Sequence, residues 1–279
     1  MKAEARVVAE TDGIGGTRLV VLRGQSPLLL RRTGPRRSGG VTVHVVGGAA
    51  GPLRGDELRL DIEVGPGASL ELLSVAAQLA LPGRPAPASR LTITATVAAG
   101  GTLRWLPEPL IAASGCDHIA ITRVAVEAGG SLLWRDDLVG GRHGEGSGDF
   151  VADTLISYAG KALYRHELAV GPRASGWDGP AVLGEGRATG TVVAAGTDLA
   201  AFTAAGRDLA TFATTGTTGG SGSRAGSSIG ARGSRVTGAH AAIMPLAGPG
   251  WLATAVGADI RTVRAALDPL CLHPAPLPV

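Results

Sequence analysis

A strand, a glycine turn and a second strand recur three times along the chain, and this repeat limits the folds that the sequence can adopt. In each copy an alternating apolar segment ends in valine, with glycine three residues later and leucine six residues later. The copies are Val64–Leu70, Val97–Leu103 and Val126–Leu132, about 30 residues apart. Glycine adopts the positive φ angles that tight turns require. A repeat of this length is typical of stacked β-units.

Alternation of apolar and polar residues predicts the strands. Leu58–Val64 places four aliphatic side chains on one face and three charged ones on the other, which predicts a half-buried strand. Leu91–Val97 repeats the pattern with threonine, and the apolar residues of Ile119–Val126 are less regularly spaced. Weaker candidates are Arg18–Arg23, Val41–Val46, Leu163–Val170 and Trp251–Val256. We expect a mainly β fold of layered or stacked units, either β-helix-like or sandwich-like, because spacing alone does not separate hairpins from solenoid corners.

About two helices are predicted, both in the C-terminal third. Asp259 can cap a helix that carries Ile260, Val263 and Leu267 on one stripe, and Pro269 limits its length. A second helical pattern, with leucine and phenylalanine on one face, runs through residues 199–212.

The composition narrows the class of protein. The chain has 44 glycines among 279 residues without the three-residue period of collagen, and its 44% hydrophobic content argues against disorder. No apolar run reaches the length of a membrane span and the N-terminus lacks a signal-peptide pattern, so we expect a cytoplasmic protein that does not bind membranes. We expect a single domain over residues 1–279, with a flexible Gly/Ser-rich loop at about 214–235 and an unstructured Pro-rich tail at 273–279.

The charge of the chain indicates little about its partners. Lys+Arg 26 against Asp+Glu 23 gives a formal net charge of +3, and almost all of the positive charge is arginine. The densest cluster is Arg31, Arg32, Arg36 and Arg37, which we interpret as a solvated loop flank. No nucleic-acid partner is expected.

Catalytic motifs are weak in this sequence. It contains neither a phosphate-binding glycine loop followed by lysine nor a Gly-x-Ser-x-Gly nucleophile elbow. Asp136 and Asp137 follow a predicted strand, where neighbouring side chains point to opposite faces, so we interpret them as acids that cap the end of that strand. Trp105 and Trp134 occupy matching places in two units, which favours packing between the units.

Two residue pairs are candidate metal contacts. Cys116 and His118 lie two positions apart, on one face if the segment is extended, and His143 and Glu145 have the same spacing. The simpler interpretations are a loop-edge cysteine beside a solvated histidine and, for the second pair, a solvated loop. Neither pair completes a closed site, so no tightly bound cofactor is expected.

The order of the segments resembles the urease accessory protein family UreD, also called UreH, in its actinobacterial form. The matching stretches are Val43–Gly48, Gly51–Asp56, Leu58–Ala68, Ser74–Ala77, Leu81–Gly83, Trp105–Pro109, Gly140–Phe150, Leu163–Val170 and Trp251–Leu267. Each stretch is unspecific by itself, and their order across roughly residues 17–270 carries the resemblance.

The resemblance implies a non-catalytic, mainly β scaffold. Members of the family resemble an adaptor that joins the urease apoenzyme to the helical accessory protein UreF and the GTPase UreG, so that Ni²⁺ reaches the buried dinuclear urease site. A route for nickel through the protein has been proposed for the family. We expect transient Ni²⁺ contacts only, because strong ligands in a closed site would trap the ion. We also expect Trp105, Glu108 and Arg142, which lie in matching motifs, to contact partners.

Two departures from the family and two alternative classes remain. Many members carry Thr-Thr-Gln-Ala-Ala-Thr-Lys where this chain has Ser74–Ala80, so the roles of those side chains are not transferable. Residues 171–235 match poorly. The alternatives are a generic β-rich interaction module without urease, and a β-solenoid enzyme acting on a polymer with Asp136 and Asp137 as its acids.

Overall fold

The three repeats stack as successive coils of a β-solenoid, in which the chain passes between two facing sheets. The structure is a computed structural model that describes residues 1–34, 39–196 and 238–271 and the backbone of 232–236. The prediction of a mainly β fold is confirmed, and the stacked arrangement is solenoid-like.

The described strands are numbered in chain order. They are β1 (Lys2–Thr11), β2 (Thr17–Gly24), β3 (Leu28–Thr33), β4 (Gly40–Gly47), β5 (Glu57–Val64), β6 (Ser69–Ser74), β7 (Gln78–Ala80), β8 (Ser89–Val97), β9 (Thr102–Leu106), β10 (Leu110–Ala112), β11 (Asp117–Val126), β12 (Ser131–Gly140), β13 (Asp149–Tyr158), β14 (Lys161–Val170), β15 (Ala188–Gly196), β16 (Arg232–Val236), β17 (Ala239–Pro245) and β18 (Gly250–Gly257). Within the described residues, the first sheet has seven strands in the order β14-β13-β11-β8-β5-β1-β2. The second has eleven, nine of them in the order β16-β17-β18-β15-β12-β9-β6-β4-β3, with β10 paired to β12 and β7 to β10.

Parallel pairing defines the body of the solenoid. In the first sheet β1, β5, β8, β11 and β13 are parallel neighbours, and in the second sheet β4, β6, β9 and β12 are. The repeated glycine turns are therefore solenoid corners rather than hairpins. Antiparallel strands follow at both ends: β2 on β1 and β3 on β4 at one end, β14 on β13 and β15 on β12 at the other.

The repeated glycine is required at each corner. Gly67, Gly100 and Gly129 have φ angles of 67°, 71° and 85°, in the left-handed region that side chains other than glycine rarely adopt. The corners also stack on each other, because the backbone N–H of Gly100 donates to the carbonyl of Gly129 at 3.0 Å. The three-residue spacing from valine to glycine in the sequence therefore indicates a stacked corner of the solenoid.

One predicted helix is present in the described residues. Helix α1 (Ile260–Leu267) begins at Asp259, whose side chain accepts a hydrogen bond from the backbone N–H of Thr262. Val263 and Leu267 are fully buried against the outer face of the second sheet, and a 3₁₀ turn containing Pro269 follows directly. The helix therefore ends just before Pro269, as the sequence predicts.

Other predictions for the C-terminal third fall partly outside the described residues. The helical pattern at 199–212 and the tail at 273–279 lie there, as does most of the loop predicted at 214–235. Residues 232–235, the last four of that loop, instead belong to β16, which pairs with β17.

The main core lies between the two sheets. Leu58, Leu60, Ile62 and Val64 of β5 face Leu70 and Leu72 of β6, all below 5% exposed. The irregular strand β11 follows the same register, but Ala120 and Thr122 take its inward positions. By alternation Ile119 and Ile121 lie on the outer face.

Candidate functional site

The predicted pair Cys116 and His118 is enclosed in the protein. The Cys116 thiol donates to the carbonyl of Asp149 at 3.7 Å, and burial raises the pKa of this thiol to about 11. The Nδ1 atom of His118 lies 2.9 Å from Ser89 Oγ, and its ring stacks on Phe150. Burial lowers the pKa of His118 to about 4, so both groups are neutral near pH 7. His118 Nε2 has no hydrogen-bond partner among the described residues.

His143 and Glu145, the second predicted pair, lie in different environments. His143 is exposed, whereas Glu145 accepts two hydrogen bonds from the Arg142 guanidinium, at 2.7 and 3.0 Å. Glu145 also accepts from the backbone N–H groups of Arg142 and Ser114. These bonds lower the pKa of Glu145 to about 2. They also connect the loop at residues 142–145 to Ser114. No three His, Cys, Asp or Glu side chains converge as a metal site within the described ranges.

The predicted partner residues occupy different environments. Trp105 is 6% exposed and stacks on Trp134, with ring centroids 5.1 Å apart and planes inclined by 18°. These rings are partners in the ladder between β9 and β12, so the predicted packing between units is confirmed. Arg142 is exposed. The Glu108 carboxylate pairs with Arg264 of α1 at 2.8 Å.

A cavity between the sheets is the feature that the sequence reasoning missed. It has a volume of about 110 Å³ and lies at the C-terminal coils. Small side chains on the first sheet leave this space, because Ala120, Thr122, Ala152 and Thr154 take the inward positions of β11 and β13. The hydroxyls of Thr122 and Thr154 make no hydrogen bond with any described residue. This part of the solenoid is therefore hollow and partly polar.

Asp136 is the acidic group of the cavity that has no cationic partner among the described residues, whereas Glu108, which also lines the cavity, pairs with Arg264. The carboxylate of Asp136 accepts a hydrogen bond from Trp134 Nε1 at 2.7 Å. The part of Asp136 that other protein atoms do not cover faces the cavity. Burial raises the pKa of Asp136 to about 6, although the indole groups of Trp134 and Trp105 oppose this shift. Near pH 7 the carboxylate is largely ionised in a low-dielectric setting without a cationic partner among the described residues, which is the condition that favours attraction of a cation.

The cavity continues into a second, wider space. A crevice of about 370 Å³ shares the walls formed by Gln78, Trp105 and Glu108 with the cavity. The crevice reaches the surface at Val75, which is 62% exposed. At the other side the cavity is lined by His166, an exposed residue of the edge strand β14. The interior space thus runs from one side of the protein toward the other.

The interpretation of Asp136 and Asp137 as a strand cap is wrong. Both lie inside β12, which extends to Gly140, and only their opposite orientations are as predicted. Asp137 also borders the cavity, but its carboxylate lies on the opposite face of β12 from that of Asp136. It accepts from Arg135 Nε at 3.0 and 3.1 Å, and Arg135 also binds Asp268 at 2.6 Å. In this network Arg135 and Asp137 are buried and Asp268 is exposed, and it holds the segment after α1 against the second sheet.

The sequence did contain a signal for the cavity. In the first sheet one inward row reads Leu60, Ile93, Thr122, Thr154 and His166 along the ladder. The row changes from aliphatic to hydroxyl to imidazole, and this trend is visible only once the register is known. In the sequence alone, the irregular spacing of the apolar residues of β11 is the sign that this strand differs from its neighbours.

The fold and the interior site together define a class: a two-sheet β-solenoid with an acidic cavity between its sheets. A sequence profile of the UreD urease accessory protein family matches residues 1–277. The chain belongs to this family. It is 39% identical to urease accessory protein UreD 3 of Streptomyces griseus, over 96% of this chain and 95% of the relative. It is 38% identical to UreD of Streptomyces avermitilis, over 96% and 95%, and to UreD of Frankia alni, over 97% and 92%.

None of the helices in the described part of the chain combines the length and apolar character needed to cross a bilayer.

Proposed function

We propose that this protein is a non-catalytic, cytoplasmic scaffold for urease maturation, which links the urease apoprotein to a UreF-like protein and a UreG-like GTPase and assists nickel insertion. Membership of the family supports the accessory role, since the relatives named above are urease accessory proteins. The single observation that supports a part in nickel transfer is the acidic cavity between the sheets.

The donor groups along this interior space suit a cation in transit. The side chains of Asp136, Thr122, Thr154 and His166 line the same cavity, so a carboxylate, two hydroxyls and an imidazole face one space. Oxygen and imidazole groups bind Ni²⁺, and a site with few protein ligands leaves the ion able to exchange. Strong chelation would hold the cargo, so scattered donors are the arrangement that a conduit needs.

The predicted pairs Cys116/His118 and His143/Glu145 stay a proposal for transient contact. His143 is the accessible member, since Cys116 and His118 are enclosed and Glu145 is engaged by Arg142. We expect Cys116→Ala with His118→Ala to weaken Ni²⁺ binding measured by equilibrium dialysis. Unchanged binding would remove that pair from the route.

The decisive experiment is an in-frame deletion of the gene in a urease-positive host, complemented by wild-type protein or by Asp136→Asn. Deletion should abolish most of the nickel content and activity of urease. Asp136→Asn keeps an acceptor for Trp134 and removes the charge, so it should lower nickel content several-fold while co-purification with the partners persists. Asp61→Asn on the outer face is the matched control and should behave as wild type.

The two parts of the proposal fail separately. Full urease activity in the deletion strain contradicts the accessory role. Full nickel content with Asp136→Asn, alongside a deletion that inactivates urease, contradicts the cavity as the route and leaves the scaffold role in place.

A further inference from the structure

Strand β2 forms the outer edge of the seven-stranded sheet at the N-terminal end of the solenoid. It pairs with β1 on one side, and no described residue makes a backbone hydrogen bond to its other side between Arg18 and Arg23. An open edge presents N–H and C=O groups to which another extended chain can add.

This edge combines apolar side chains with arginines. The segment from Arg18 to Arg23 reads Arg-Leu-Val-Val-Leu-Arg, in which Val20 is 40% and Leu22 37% exposed. Exposed apolar groups that lie together often mark interaction surfaces. The adjoining hairpin turn adds Ile14, which is 91% exposed.

The charge of this edge is positive and incompletely neutralised. Arg18 pairs with Glu10 at 3.1 Å, whereas Arg23 and Arg32 form no ion pair with any described residue. Arg18 and Arg32 line the same surface depression, of about 320 Å³, together with Asp12, whose carboxylate accepts from the backbone N–H groups of Ile14 and Gly16. We call the surface formed by Arg18, Val20, Leu22, Arg23 and Arg32 the β2 edge surface.

A second copy of this chain fits the β2 edge surface poorly. The segment is palindromic, so antiparallel pairing of two β2 strands would set Arg18 opposite the Arg23 side chain of the second copy, and like charges directly opposite are destabilising. The register with β1 also shifts at Val20, because Val8 pairs with Val21 and Ala9 with Leu19. A bulge of this kind twists an edge and opposes long, flat pairing.

We propose that the β2 edge surface binds a short extended segment of another protein, in which apolar residues are flanked by acidic ones. The apolar side chains of the segment would contact Val20 and Leu22, and its acids would pair with Arg18 and Arg23. Apolar contact supplies affinity, and the flanking charges select the partner and its register. This contact is separate from the interior cavity and requires no nickel to pass through it.

The test uses three labelled synthetic peptides titrated into the full chain by fluorescence anisotropy. The first has a Leu-Val-Val-Leu centre flanked by glutamates, the second replaces the glutamates with lysines, and the third keeps the glutamates and replaces the centre with serines. Only the first should bind, and amide hydrogen exchange at residues 18–23 should slow in its presence. Arg23→Glu should weaken this binding by about tenfold or more, and Arg165→Glu on the opposite edge strand should leave it unchanged.

Three results would overturn the proposal. Equal binding of the serine peptide would reduce the contact to unspecific charge attraction, and equal binding by Arg23→Glu would place the site elsewhere. Self-association that the first peptide competes away would assign the edge to a second copy. Leu22→Ser tests the apolar part independently of charge and should also weaken binding of the first peptide, because Leu22 is partly exposed and its replacement leaves the core intact. Circular dichroism of each variant verifies that the solenoid is folded.

Discussion

The inside of the solenoid is built in two different ways along its axis. At the N-terminal coils the inward rows of the first sheet carry the buried aliphatic side chains of Leu58, Leu60 and Ile62. Leu58 and Leu60 also line the wider crevice, whereas Ile62 lies in the filled part of the core. At the C-terminal coils the same rows carry Ala120 and Thr122, and an acidic cavity takes the place of the core. The backbone ladder is continuous through both halves, so the difference lies in the side chains alone.

This contrast indicates which interactions hold each half together. In a solenoid each coil bonds to its neighbours through parallel ladders, and the hollow coils keep these hydrogen bonds. The stacked pair Trp105 and Trp134 and the network around Arg135 pack the second sheet beside the cavity. Apolar packing can then be reduced at Thr122 and Thr154 without loss of the fold.

Replacing one inward side chain by alanine should give the largest difference in stability between the two halves. Ile62→Ala removes a side chain that is 1% exposed in the packed half, and it should lower the free energy of unfolding by about 4 kcal/mol. Thr122→Ala enlarges a space that already exists, and it should cost less than about 1 kcal/mol. Urea denaturation measures both. Equal losses would mean that the cavity closes in solution and that the contrast is not real.

The second largest effect concerns Asp136, and its sign depends on pH. The folded-state pKa of about 6 lies above the ordinary value of 3.8. Between these values the folded protein holds a proton that the unfolded chain has lost, so the contribution of Asp136 to stability falls as pH rises from 4 to 6. Above pH 6 the buried charge costs about 3 kcal/mol, at roughly 1.4 kcal/mol per pKa unit.

Asp136→Asn should therefore raise the free energy of unfolding by about 3 kcal/mol at pH 8 and have little effect at pH 4. Thermal or urea unfolding at the two pH values measures the difference. Asp61→Asn, at an exposed ion pair, should show no such pH dependence. A stability of Asp136→Asn that parallels wild type at every pH would mean that the carboxyl is solvated rather than enclosed.

The sequence predicted the repeated part of the fold well. Alternation in Leu58–Val64, and the valine–glycine spacing at Gly67 and Gly100, arise from local geometry, so the strands and corners follow from short segments. The cavity depends on which residues of distant coils share a row, and Thr122 beside Thr154 becomes informative only through register. Asp136 lies inside β12 rather than at its end, and here the local pattern misleads, because two adjacent acidic residues are unusual within a buried strand.

Replacing an inward alanine by the larger valine should give the third difference in stability between the two halves. Ala95→Val in the packed half forces carbon atoms into a filled row between Ile62 and Val124, and it should cost about 2 kcal/mol. Ala152→Val points into the cavity and should change stability by less than about 1 kcal/mol. Chemical denaturation compares the two. A larger cost for Ala152→Val would show that the hollow half has no free space.

The smallest expected effect concerns the free hydroxyls of the hollow half. Thr154→Val keeps the shape of the side chain and removes a hydroxyl that makes no hydrogen bond to a described residue, so the free energy of unfolding should stay within about 1 kcal/mol of wild type. Under the proposed function, the nickel content of urease in complemented cells should still fall, since one oxygen donor is lost from the route. Thr92→Val, at an outward position of β8, should change neither quantity. If nickel content is the same for both variants, Thr154 acts only as a small residue that leaves room, and Asp136 carries the polar character of the cavity.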